Sequence, residues 1–188
     1  MIAGFIADEL ARRDGWVSLP PVTYTVTVPV RPGNVRIEPE VFSKYLSQII
    51  KHFTDFGQRE FILILGHGGP EFKEAVVNAC SPACGNAGAS LAAFHIANVL
   101  SRLGLADTLN DRHAGAWETS IMMAINSELV GDLSIYEGIN PRKYGVVGDP
   151  TKASADYGIK CINAVINYIE EFVRGWASRS GCYYDWRR

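Results

Sequence analysis

The chain has 188 residues, 47% of them hydrophobic, and a formal net charge of −2. That size and composition suit one globular domain with a real core and exclude a disordered chain. The near-neutral charge offers no attraction for nucleic acid or an anionic membrane, and no apolar run approaches the roughly 18 residues of a membrane span.

In chain order, IAGFIADELARR places Ile2, Phe5, Ile6 and Leu10 at helical spacing, with Gly15 as the stop. The same stretch is no secretory signal, because it lacks a basic leader and carries Asp8 and Glu9 inside the apolar run. WVSLPPVTYTVTVPV is rich in β-branched and aromatic residues and reads as strand, Pro-Pro break, strand. Glu38-Pro39-Glu40 opens a helix, with proline and acids in its first turn, that runs to Gly57. FILIL (61–65) is continuously apolar, the pattern of a central strand covered on both faces. EFKEAVVNAC is helical, and ASLAAFHIANVL is a buried strand leading into a helix. GAWETSIMMAINSEL is a helix with Ile121, Met122 and Ile125 as its core stripe. GVVGDPTKAS is a loop ending at a helix start. Tyr157 to Val173 is a long amphipathic helix with Ile159, Ile162, Val165, Ile166, Ile169, Phe172 and Val173 inward. The tail from 175 to 188 shows no period and is expected to be irregular. Strands alternating with helices indicate an α/β fold on a largely parallel sheet. With no linker, repeat or low-complexity tract, residues 1–188 are assigned to a single domain.

The four cysteines are Cys80, Cys84, Cys161 and Cys182. CSPAC (80–84) lacks the second close pair that a structural zinc site needs. Free thiols in a reducing cytoplasm are the expectation, with a disulfide across CSPAC as the alternative.

Ligands of open α/β sheets bind outside the carboxyl ends of the strands, and His67 falls there: FILIL, then Gly-His-Gly-Gly, then a helix. Glycine lets the backbone turn sharply and approach a ligand closely. Imidazole is the commonest metal ligand and acid/base group near neutral pH. The competing reading is a histidine that only caps the next helix. In DRHAGAWETS, His113 lies in a loop of small residues, and Glu118 lies in the first turn of the following helix. There the helix dipole favours a carboxylate, which would serve as a metal ligand or support a histidine. A solvated glutamate and a surface histidine are the alternative. His52 on a polar helix face and His95 at a strand end read as structural. Neither a P-loop nor a dinucleotide fingerprint is present.

Four stretches together resemble the creatininase (creatinine amidohydrolase) family. LGHGGP (65–70) is similar to NGHGGN. HAGAWETS (113–120) is similar to HAGEWETS and is the most specific of the four. VRPGNVRIEPEVF (30–42) resembles an FPGT-ISL-PETF segment, and GVVGDPTKAS (145–154) resembles GVxGDPxxA. The likeness runs from about Ile2 to Val173. It implies a three-layer α/β/α fold with a mostly parallel sheet, commonly assembled as hexamers. It implies hydrolysis of carbon–nitrogen bonds in cyclic or linear amides with divalent zinc, manganese or iron. It also implies His67 as a metal ligand, Glu118 as a metal ligand or the immediate support of the metal site, and His113 as the group that moves protons for the leaving nitrogen. These three are then expected to share one pocket at the carboxyl end of the sheet.

The chain departs from the family pattern at Leu65, Pro70 and Ala116. The family's ExHGxHLPxxTD segment, which carries further ligands, belongs just before the helix matched by MIAGFIADELA, and the chain starts after it. Two readings follow. One is a metal-dependent amide hydrolase acting on a small-molecule amide, inactive in this short form without that segment. The other is a non-catalytic creatininase-like scaffold or binding subunit. In either case a cytoplasmic homo-oligomer, dimer or hexamer, without nucleic-acid or membrane partners is expected. The aromatic tail CYYDWRR adds residue types enriched at interfaces.

Overall fold

A computed structural model describes residues 1–27, 34–86, 88–176 and 181–187. Its contacts divide the chain into two compact units, Met1–Ser18 with Ile96–Phe172, and Leu19–His95 with Val173–Arg188. The chain passes between them at residues 18–19, at a strand–helix junction and inside a helix. Only the first of these places carries prolines, Pro20-Pro21, and the other two fall at or within regular elements, so composition marks no clear linker.

In the second unit, helix α2 (Pro39–Asp55) is followed by β1 (Glu60–Leu65), α3 (Pro70–Asn86) and β2 (Ser90–His95). β1 and β2 pair in parallel with Leu65 opposite His95, so α3 is the crossover that parallel strands require. β3 (Gly181–Tyr184) adds to the other side of β2, also parallel, in the order β1-β2-β3. The α/β class and the parallel sheet are as the sequence implied. The pleat puts Phe61, Leu63, Leu65, Leu91, Ala93, Cys182 and Tyr184 on one face, and all of them join the core with Phe42, Ile50, Phe72, Val76 and Cys80 of α2 and α3. Phe42 and Phe72 meet edge to face at 5.3 Å, a favoured aromatic geometry. On the opposite face Phe94 lies 5.8 Å from Tyr183, which lies 5.6 Å from Trp176.

The first unit holds α1 (Ile2–Asp14), α4 (Ile96–Arg102), α5 (Ala116–Asn126) and most of α6 (Ala155–Trp176). α1 buries Ile6 and Leu10 and ends at Gly15, whose φ of 70° is the left-handed turn glycine allows. α6 buries Gly158, Cys161, Ile162, Val165, Ile166 and Ile169. Between α5 and α6 the chain turns through four short 3-10 segments. Each begins at an Asn or Asp (126, 132, 140 and 149) whose side chain accepts a backbone N–H two residues on.

Several expectations are corrected. The strands expected over 16–30 reduce to one isolated bridge, Thr25 with Arg36, and residues 28–33 lie outside the described part. A β-branched run forms a strand only when a neighbour supplies the ladder. Among the described residues β1 is an edge strand whose Phe61 to Ile64 are only partly buried, whereas β2 is the central strand and hides Leu91 to Phe94 completely. In α6 Ile159 is 49% exposed, and the inward face is displaced onto Gly158 and Cys161. In α5 Met122 and Ile125 are only half-buried, while Trp117 and Ile121 are in the core. The tail is not irregular throughout, because residues 181–184 form β3; four residues show no period without a partner to pair with. Cys84 is not a free thiol. It is joined to Cys182, 98 residues away, with Cα atoms 5.7 Å apart, an ordinary disulfide span. Cys80 and Cys161 remain free and buried.

Candidate functional site

His67 occupies the turn between the carboxyl end of β1 and the first turn of α3. Its ring rests on Phe72 at 5.2 Å. A Cβ added to Gly69 would lie 2.8 Å from His67 Nε2, and one added to Gly68 would lie 2.5 Å from the His95 ring. Both glycines suit this close approach, since a Cβ at either would force the neighbouring imidazole to shift. His95, read from the sequence as structural, borders the same turn. Its backbone N–H donates to Asp185 Oδ1 at 3.1 Å, and Asp185 is 4% exposed. Lys73, one turn into α3, lies 5.5 Å from the Trp186 ring. Burial pushes its ammonium below the usual lysine range, partly offset by the charge of Asp185.

His113 and Glu118 belong to the other unit, in the loop that enters α5. Asp111 organises this loop. Its carboxylate accepts the N–H groups of Ala116 at 2.6 Å and Trp117 at 3.3 Å, and its carbonyl accepts the Trp117 indole N–H at 2.7 Å. It thereby satisfies two of the donors that a helix N-terminus leaves open. A Cβ at Gly115 or Gly148 would collide with this carboxylate. Burial raises the pKa of Asp111 above the ordinary carboxylate value. The two N–H donors oppose that rise, while Asp107 and Asp149 add to it. Arg112 and Val147 bridge the loop to the Gly-Asp-Pro segment.

Beyond Asp111 the backbone is strained. His113 has φ 52° and Ala114 φ 62°, the left-handed region that costs an L-residue roughly 1–2 kcal/mol. Glu118 holds this turn: its Oε2 accepts the Ala114 N–H at 2.7 Å, and the Thr119 hydroxyl donates to the Ala114 carbonyl at 3.1 Å. The imidazole of His113 is exposed. Ser120 continues the pattern inward, donating to the Ala116 carbonyl and accepting the Ser154 N–H at 3.0 Å.

The structure thus brings His113 and Glu118 together through one backbone amide and places His67 in the second unit. Among the described residues no three His, Cys, Asp or Glu side chains are grouped so as to hold a metal ion. His52 packs beside Phe53 and Phe56 on an exposed helix face. Sequence reasoning singled out neither Asp111 nor Asp185, and it read His95 as structural. A signal existed only for Asp111, an aspartate four residues before the glycine that precedes a helix.

A profile of the creatininase family, described as creatinine amidohydrolase, matches residues 1–173. The crystal structure of a Bacteroides fragilis protein assigned provisionally as a creatinine amidohydrolase is similar in fold. Its TM-score is 0.71 at 24% identity, over 95% of this chain and 80% of that one. No functionally curated protein matches the chain.

Proposed function

Because the chain belongs to the creatininase family, we propose that it is an amidohydrolase that cleaves carbon–nitrogen bonds of cyclic or linear amides. The observation that carries this reading is the His113 turn. Two successive non-glycine residues held at positive φ cost free energy, and such strain gathers at functional sites. Glu118 and Thr119 maintain it. The turn presents an exposed imidazole on a fixed backbone, suited to give a proton to a departing nitrogen. His67, in one unit, and Glu118, in the other, are each proposed as a ligand of divalent zinc, manganese or iron. Two ligands fall short of the three that catalytic zinc normally takes from its protein. The residues described here therefore do not by themselves fit a metal site, and no step is derived through one.

A second reading, a non-catalytic binding subunit, is favoured by Glu118 itself: its carboxylate is already occupied as an acceptor for Ala114. Metal analysis after dialysis, with an assay on creatinine and formamides in the presence of zinc, manganese or iron(II), separates the two. Hydrolysis that drops about 10²–10⁴-fold in His113→Ala, the usual worth of a general acid or base, with metal retained, supports the enzyme. A His113→Ala variant as active as the parent removes His113 from the chemistry. Neither metal nor hydrolysis in the parent selects the binding subunit.

We also propose self-association, supported by the outer face of α2, where Val41, Tyr45 and Phe56 are 60%, 53% and 81% exposed. For the cytoplasm as its compartment, the free thiols of Cys80 and Cys161 speak in favour and the Cys84–Cys182 bridge against. Counting thiols in acid-quenched cells decides this point: four reactive thiols after denaturation support the cytoplasm, and two oppose it.

A further inference from the structure

Residues beyond 173 lie outside the family match, yet the tail is fastened firmly within its unit. β3 pairs with β2 from Ser90–Gly181 to Ala93–Tyr184. Cys182 is bonded to Cys84 of α3, the buried Tyr184 hydroxyl donates to the Val77 carbonyl at 3.4 Å, and Arg187 pairs with Glu74. All of these hold a four-residue strand whose next residue is Asp185. A parallel strand this short is weak alone, so its anchors decide where that residue stands.

At the end of β3 the Asp185 N–H donates to the Ala93 carbonyl at 3.1 Å, and its carboxylate accepts the His95 N–H at 3.1 Å. The side chain thereby caps the ladder at the point where β2 turns into α4. A carboxylate 4% exposed is expensive to bury unless it is hydrogen-bonded, so its presence at this place is a structural commitment. His95 carries the effect onward, since its ring lies against the backbone of Gly68, while His67 covers Gly69.

We propose that Asp185 is a positioning residue of the His67 turn. It fixes the His95 backbone, the His95 ring holds Gly68, and Gly68 sets the place of His67. The C-terminal tail is then a working part of the candidate site. This inference rests on the reading of His67 as a site residue, but its test needs no activity, so an inactive chain leaves it standing.

The test is nuclear magnetic resonance on the full chain carrying Asp185→Leu or Asp185→Asn. Leu removes the acceptor, whereas Asn keeps an acceptor oxygen and removes the charge. In Asp185→Leu, exchange of the His95 amide is expected to rise about 10–100-fold, the equivalent of a hydrogen bond to a charged acceptor. The amide shifts of His67, Gly68 and Gly69 move with it, while those of α2 stay. Asp185→Asn stays nearer the parent than the Leu variant in both readouts. Parent-like exchange and turn shifts in a folded Leu variant overturn the proposal, as does an Asn variant that behaves like Leu. Should the Leu variant fail to fold, Asp185→Ala takes its place as the variant without an acceptor: faster His95 amide exchange with displaced turn shifts supports the proposal, and parent-like values overturn it.

Discussion

Cys80 is completely buried among the apolar side chains of α3 and its neighbours, and burial pushes its thiol up to about 12. The unfolded chain releases the same proton near the ordinary value of 9.0. A folded-state value raised above the unfolded one contributes stability that is fully present below pH 9 and is lost as pH rises toward 12. Three pH units correspond to about 4 kcal/mol at the far end of that window. The melting temperature of Cys80→Ala should therefore fall less steeply than the parent's between pH 8 and 10. Equal slopes would show that Cys80 ionises freely in the folded protein. The suppressed ionisation also protects the bridge one helical turn away, since only a thiolate attacks a disulfide. At this scale the sequence was legible where chemistry and backbone coincide. His113 and Glu118 were marked by their small neighbours and helix start. Asp111 was overlooked because its work is done through backbone N–H groups, which leave no mark in side-chain spacing.

Elements were read correctly where periodicity was long, and misread where a neighbour decides. α2, α3 and α6 carry enough turns for their apolar faces to show. β3 cannot be read from GCYYD, because a parallel strand exists only through the strand beside it. The same limit explains β1, whose apolar run suggested a central position that β2 in fact takes. Within α6 the inward face was misjudged in its first turns, where Gly158 and Cys161 rather than Ile159 turn inward, and at Gly158 close packing favours the smallest residue over the most apolar one. A Cβ there would run into the Ser120 carbonyl and come within 2.9 Å of the Ala124 methyl. The obstacle is backbone, which cannot swing aside. Gly158→Ala gains helix propensity of about 0.8–1 kcal/mol but forces α5 and α6 apart, and overpacking of this kind typically costs 1–3 kcal/mol. Chemical denaturation should show net destabilisation. A variant as stable as the parent would mean that the two helices separate freely at this crossing.

For the whole molecule, the apolar residues left on the surface matter more than any one buried contact. Val41 and Tyr45 project from one side of α2, joined by the half-buried Ile49 and the exposed His52, and Phe56 continues the row at the helix's C-cap. Their spacing of three and four residues makes a continuous stripe on a helix. α2 already has a well-filled inner face, with Phe42 and Ile50 in the core, so the outer stripe is additional to what folding requires. A contiguous apolar stripe on a protein surface marks an interaction site more often than it marks chance, and aromatic residues are enriched at such surfaces. The net charge of −2 adds little long-range repulsion between copies. Sedimentation of the parent at micromolar concentration should therefore show a homo-oligomer, and Tyr45→Glu with Phe56→Lys should shift it toward monomer without lowering the helix content. A parent that sediments as a monomer would exclude self-association, and an oligomer untouched by the double substitution would move the interface off α2.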